Sequence, residues 1–409
     1  MRAGRRFSNI RLTAGFKSNR LRILLISHTC QSRAEGQRKA EQLSRLEDIK
    51  LKVVVPERFN HYGRWQRAEA PAQAGFDFQA LKIMWPWLGP AQNYLHWYPG
   101  LANVIREFEP DVIDLWEEPW SLVSAQACWL RNRLRPAARI VMESEQNLHK
   151  NFPPPFRWIE NYTIRNADFA VGRSSEVIRV LRAKNYCGPA RVVGNAVDIS
   201  VFKPLDRAAC RQKLGLSGFV AGYAGRLVER KGLMDMVDAL AFLPGEVRMV
   251  FAGSGGFQPR LAARARELGR AGQVHFLPAR PLEELPEVMN AFDALVLPSW
   301  TVPTWKEQFG RVLIEAHACG TPVIGADSGA IPEVVGGGGL IFPERDPRAL
   351  AGAIMELKEN APRRRELGMQ GRRQVEENFT WEKIAVQMSE IYHAAERPRS
   401  AEVAIPVQA

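Results

Sequence analysis

The sequence predicts an α/β protein of two Rossmann-like, doubly wound domains facing a central cleft. Three observations carry this. Apolar strand-like runs alternate with amphipathic stretches along nearly the whole chain, the pattern of parallel strands joined by crossover helices. The runs fall into two series. A short segment rich in turn-forming residues separates them.

Residues 1–20 read as a basic tail: Arg2, Arg5, Arg6, Arg11, Lys17 and Arg20 occur there with no acid among them. The first domain, 21–194, carries strand-like runs at 21–27, 51–55, 111–116, 138–142, 168–172 and 190–194. Helical patterns such as 36–46 and 99–108 lie between them. Residues 195–204 (NAVDISVFKP) hold Asn195, Asp198 and Pro204 and read as the hinge. The second domain, 205–378, repeats the alternation, with strand-like runs at 219–225, 247–253, 274–277, 294–299 and 322–326. Residues 379–396 place Trp381, Ile384, Met388 and Ile391 on one helical stripe, which suggests a helix crossing back to the first domain. Residues 397–409 read as a frayed tail.

Composition narrows the function classes. The chain has 409 residues, 46% of them apolar, as in a folded globular protein. Its formal charge of +12 points to an anionic partner: nucleic acid, a membrane face or a phosphorylated small molecule. No basic–aromatic motif of a nucleic-acid reader occurs, so no nucleic-acid partner is expected. No run has the apolar length of a membrane span, and no apolar core follows the basic N-terminus as in a secretory signal. The five cysteines are scattered, as expected of reduced thiols in the cytoplasm.

The chemistry concentrates in the second domain. Glu307 falls in a loop, and Glu315 follows on a short helix that opens at Gly310. Carboxylates accept hydroxyl hydrogen bonds, and helix-start amides favour phosphate. Earlier, GRLVERKG (225–232) follows a strand. Gly225 permits a tight exit, and Arg226 and Lys231 then stand where cations could clamp a diphosphate. FAGSGG (251–256) offers backbone amides around Gly253 and Ser254. Each motif alone also fits an ordinary turn.

Together with LVLPS, EQFGRVLIEA and GTPVIGADSGAIPEVV, these motifs resemble the retaining glycosyltransferases of the GT-B fold, family four (glycosyl transferases group 1). NAVD (195–198) resembles the family's hinge motif, with Ala196 in place of Gly. The resemblance implies hexosyl transfer from a nucleotide-sugar donor, without metal or other cofactor. It implies that Arg226 and Lys231 hold the diphosphate and that Glu307 binds hydroxyls of the transferred sugar. Phe309, Gly310 and Arg311 would lie along sugar and phosphates, and Glu315 would take the ribose. Cations would replace a metal as charge neutralisers; no Asp-x-Asp stands near a strand end.

The first domain departs from the family. Its first-strand loop, SHTCQSRAEGQRK (27–39), has Gly36 alone where a glycine pair is usual. His28, Gly36 and Arg38 there, with Glu117 beyond the run 111–116, are candidate acceptor-binding residues. Capped helices with solvated charges are the competing reading. ARIVMESEQN (138–147) offers Glu143 and Glu145, which strand alternation sends to one side; Glu145, nearer the cleft, is the expected reaction-centre carboxylate. Trp85, Trp87, Tyr94, Trp97 and Tyr98 form an aromatic run that either stacks on glycan, enters a membrane interface or packs on itself. The expected partners are a nucleotide sugar, a polysaccharide or lipid-linked glycan acceptor and a weak anionic membrane contact, with a location in the cytoplasm or at the inner membrane face. A nucleotide-sugar epimerase or hydrolase, or a non-catalytic nucleotide-sugar-binding protein, are the alternatives.

Overall fold

The computed structural model describes residues 20–61, 63–71 and 75–396. The expected tails lie outside these residues, except for Arg20.

The first lobe contains β1 (Leu21–Ile26), β2 (Ile49–Pro56), a hairpin of β3 (Arg58–His61) and β4 (Arg64–Arg67), and β5 (Asp77–Leu81). It continues with β6 (Val112–Leu115), β7 (Arg139–Ser144), β8 (Phe169–Gly172) and β9 (Ala190–Val192). Seven of these strands form one sheet in the order β5-β2-β1-β6-β7-β8-β9, with parallel pairings. The second lobe contains β10 (Phe219–Ala224), β11 (Val247–Ala252), β12 (Val274–Leu277), β13 (Ala294–Leu297), β14 (Val323–Ala326) and β15 (Gly339–Phe342). They form a parallel sheet in the order β12-β11-β10-β13-β14-β15. In both sheets the order reverses beside the first strand, the topological switch point where ligands of such sheets bind.

Burial on both faces explains the near-continuous apolar strands. In β1, Ile23 and Leu25 face one core while Leu24 and Ile26 face another. The helix Trp381–Glu396 covers the first of these faces, where Ile384, Met388 and Ile391 join Ile23 and Leu25. The chain thus returns to the first lobe after finishing the second. Its two crossings lie side by side: Val197 N–H donates to the Phe379 carbonyl at 2.8 Å, and Val197 pairs with Thr380.

Three features were not legible as strands. β5 is an edge strand whose residues are half-buried or exposed, so DFQAL lacks a buried-strand pattern. The β3–β4 hairpin reads as polar and aromatic loop. β15 starts at the end of the glycine run 336–339, which reads as a turn.

Candidate active site

The site starts at the carboxyl ends of β10 and β11. Gly225 and Gly253 both have φ of +148°, and a Cβ on Gly253 would strike the Gly225 carbonyl. The two loops can therefore approach this closely only because position 253 is glycine. The Ser254 carbonyl accepts Leu227 N–H at 2.9 Å, so the second turn braces the first. Beyond Leu227 the chain turns through Glu229–Lys231 and leaves at Gly232, φ +67°.

That path carries Lys231 to Glu307. Lys231 Nζ donates to Glu307 Oε2 at 2.6 Å, and Ser299 Oγ donates to the same oxygen at 2.9 Å. Glu307 is 7% exposed. Its carbonyl accepts Ala330 N–H at 3.1 Å, and a Cβ on Gly329 (φ +56°) would collide with that carbonyl. Arg226 is exposed, and among the described residues its guanidinium makes no ion pair. Its carbonyl accepts the Tyr223 hydroxyl at 3.0 Å. Burial raises the Tyr223 phenol, Glu307 adds to the rise, and Arg226 opposes it.

Gly310, φ +82°, turns the chain into the helix Arg311–Ala318. Phe309 is buried against Phe379, ring centroids 5.7 Å apart. Glu315 is half-buried; burial raises its carboxyl and Arg311 opposes the rise. Arg311 and Glu315 line a small pocket with Arg38 and Asp198 of the hinge. Arg38 ion-pairs with Asp198. The structure therefore places Arg38 beside the expected donor residues rather than in a separate acceptor pocket.

The opposite wall comes from the strand ends of the first lobe. Asn147 Nδ2 donates to the Glu307 carbonyl at 2.7 Å, and Gln308 Nε2 donates to the Glu145 carbonyl at 2.8 Å. The loops after β7 and β13 thus meet, and Glu145 stands at the junction. Its carboxylate is partly exposed and lies 3.4 Å from Arg173 Nε. Its N–H donates to Glu118 Oε1 at 2.7 Å, and Ser144 Oγ donates to Glu118 Oε2 at 2.8 Å. Burial pushes the Glu118 carboxyl up to about 7; those hydrogen bonds oppose the shift and the nearby Glu145 charge adds to it. Glu143 points the same way as Glu145 but is buried, ion-paired with Lys39 and Arg173.

His28 follows β1 at the start of a 3-10 turn, with Nδ1 2.7 Å from Glu117 Oε2 and its backbone N–H donating to Glu117 Oε1 at 2.6 Å. Burial opposes charge on both groups, yet mutual attraction prevails: the imidazole is raised and the carboxyl lowered. Two expectations change here. Glu117 is buried and taken up by His28, so it supports that ring instead of facing an acceptor. Gly36 is also buried, and a Cβ there would strike the Thr29 carbonyl, so it serves a close chain approach and not an open ligand surface.

Sequence reasoning missed Arg173 and Glu118 as the clamp on Glu145. Both depend on long-range proximity. Among the described residues no group of three or more His, Cys, Asp or Glu side chains is placed to hold a metal ion.

Comparison with known proteins places the chain in a family. Residues 206–374 match the model of the glycosyl transferases group 1. The D-inositol 3-phosphate glycosyltransferase of Stackebrandtia nassauensis is 33% identical over 305 residues, 68% of each chain. The chain belongs to the group 1 glycosyl transferases. The corresponding enzyme of Mycobacterium marinum is 34% identical over 255 residues, 59% of this chain and about half, 53%, of its own length. The GT-B fold recurs in sucrose-phosphate synthase from Thermosynechococcus elongatus (TM-score 0.70, 22% identity, 92% of this chain and 99% of that one). It recurs in Anabaena HepE, whose structure is in complex with UDP (TM-score 0.70, 20% identity, 91% and 100%). Within this group 1 glycosyltransferase, the family match contains Arg226, Lys231, Glu307 and Glu315. Glu145 and His28 lie outside it and rest on geometry.

Proposed function

We propose that the chain moves a sugar, with retention of anomeric configuration, from a nucleotide-sugar donor to a polysaccharide or lipid-linked glycan acceptor. One observation carries this reading. A cation and an acid from separate strand-end motifs meet at 2.6 Å, where the loops of the two lobes join. Glu307 would bind hydroxyls of the transferred sugar. Lys231 and Arg226 would face the diphosphate, with Gly225, Gly253, Ser254, Phe309, Gly310 and Arg311 around it and Glu315 at the ribose. The leaving diphosphate gains negative charge as the glycosidic bond breaks, and cations fixed in place stabilise it without reorganising. Glu145, held by Glu118 and Arg173, would face the positive sugar or orient the acceptor hydroxyl. His28, oriented by Glu117, would touch the acceptor from the first lobe.

The Anabaena HepE structures in complex with UDP and with UDP-glucose support a nucleotide-sugar donor. No described helix is long and apolar enough to cross a membrane. A weak membrane contact would use exposed aromatic side chains of the first lobe, among them Trp87 (75% exposed), Trp158 (63%) and Trp129, which Arg133 covers. The test is donor turnover with and without a glycan acceptor, followed by anomeric analysis of the product. Sugar transfer that needs acceptor and keeps the anomer supports the reading. Conversion of donor alone supports an epimerase or hydrolase instead.

A further inference from the structure

Between β13 and Glu307 the chain makes a short detour through residues 300–306. Val302 and Trp305 close it as an antiparallel bridge, with N–H to carbonyl distances of 2.9 and 3.1 Å. Its base is tied down on several sides. Trp300 Nε1 donates to Asp235 Oδ2 at 2.6 Å, and Trp300 N–H donates to the Arg230 carbonyl at 3.0 Å. Thr301 donates to Glu344 from both its N–H and its hydroxyl. Lys306 Nζ reaches across to Glu176 of the first lobe at 2.6 Å. Trp305 is therefore held on a braced turn.

The half-buried Trp305 ring has Lys231 Nζ 4.8 Å and the Arg230 guanidinium 4.9 Å from its centroid. The Lys231 ammonium also touches Glu307. It thus stands between a carboxylate, which accepts hydroxyl hydrogen bonds, and an aromatic face, which attracts positively polarised groups. A hexopyranose presents this same pair of chemistries, hydroxyls around its edge and polarised C–H bonds on its face. We propose that Trp305 is a specificity-determining residue whose indole packs on the C–H face of the transferred sugar. Glu307 takes the sugar's hydroxyls from the other side, and Lys231 turns from both toward the diphosphate. The ligand class is a nucleoside-diphosphate hexopyranose. This inference rests on the donor-site reading above and adds a contact to the sugar alone, not to the nucleotide.

The sugar-only contact sets the test. Calorimetric titration compares each nucleoside diphosphate with its hexose conjugate (UDP with UDP-glucose, GDP with GDP-mannose, ADP with ADP-glucose) on wild type, Trp305→Ala, Trp305→Phe and Glu307→Ala. Trp305→Ala is expected to weaken the preferred conjugate about tenfold, the scale of one aromatic packing contact, while the matching diphosphate binds as before. Trp305→Phe, which keeps an aromatic face, is expected to recover most of the loss. Equal weakening of diphosphate and conjugate in Trp305→Ala, or no change in either, overturns the proposal and leaves Trp305 a structural partner of Arg230 and Lys231. A melting temperature unchanged from wild type shows that each variant is folded. If Glu307→Ala keeps full conjugate affinity, or wild type binds none of the conjugates, the donor-site reading fails as well.

Discussion

Lys231 and Glu307 could be singled out in the sequence because each stands in the loop that follows a strand, shortly before a glycine, Gly232 or Gly310, that turns the chain. The first lobe was less legible. Glu145 is held by Glu118 and Arg173, which lie 27 and 28 positions away, and nothing local marks such pairs. Glu118 gives a prediction of its own. Its carboxyl moves from 4.5 to about 7 in the folded protein, chiefly through burial. The folded state therefore binds this proton more tightly than the unfolded chain. Its stabilising contribution is full below about pH 4.5 and is lost as pH rises through 7. Relative to Glu118→Gln, wild type is expected to lose on the order of 2–3 kcal/mol between pH 5 and pH 8.5. Denaturation at the two pH values measures this, and a difference independent of pH would contradict it.

At the scale of elements, the loop of Glu307 is shaped by a glycine on another segment. Gly329 has φ +56° and lies against the Glu307 carbonyl. Gly329→Ala adds backbone strain and pushes that loop away. The expected result is a stability loss of about 1–2 kcal/mol and a larger loss of kcat/KM for donor, roughly tenfold or more. Donor kinetics equal to wild type at reduced stability would show that Gly329 serves folding alone. The apolar strands of both sheets were legible because burial on two faces leaves an uninterrupted apolar run. The edge strand β5 and the glycine-led β15 were not, since edges and turns carry no such run. The helix Trp381–Glu396 was legible from its stripe, but its buried bond from the Tyr392 hydroxyl to Asp114 Oδ2, at 2.6 Å, was not.

Besides the two chain crossings and the helix Trp381–Glu396 packed on the first lobe, polar contacts beside the site join the lobes. Lys306 meets Glu176 at 2.6 Å, and Glu333 accepts the Ser175 N–H and hydroxyl. On the proposed reading, closure that brings donor and acceptor walls together would depend on such contacts. Charge reversal tests this: Lys306→Glu and Glu176→Lys should each lower kcat/KM several-fold, and the double reversal should restore most of it. Additive losses would show that the pair does not couple the lobes. If Arg226 and Lys231 carry the charge of the leaving diphosphate, transfer should also survive a metal chelator. Activity that disappears with chelator and returns with a divalent cation would contradict that.

The most direct measurement is the rate of sugar transfer by Lys231→Ala and by Glu307→Ala, each checked for an unchanged melting temperature. Both variants are expected to stay folded and lose transfer almost entirely. Wild-type rates in both would contradict the account.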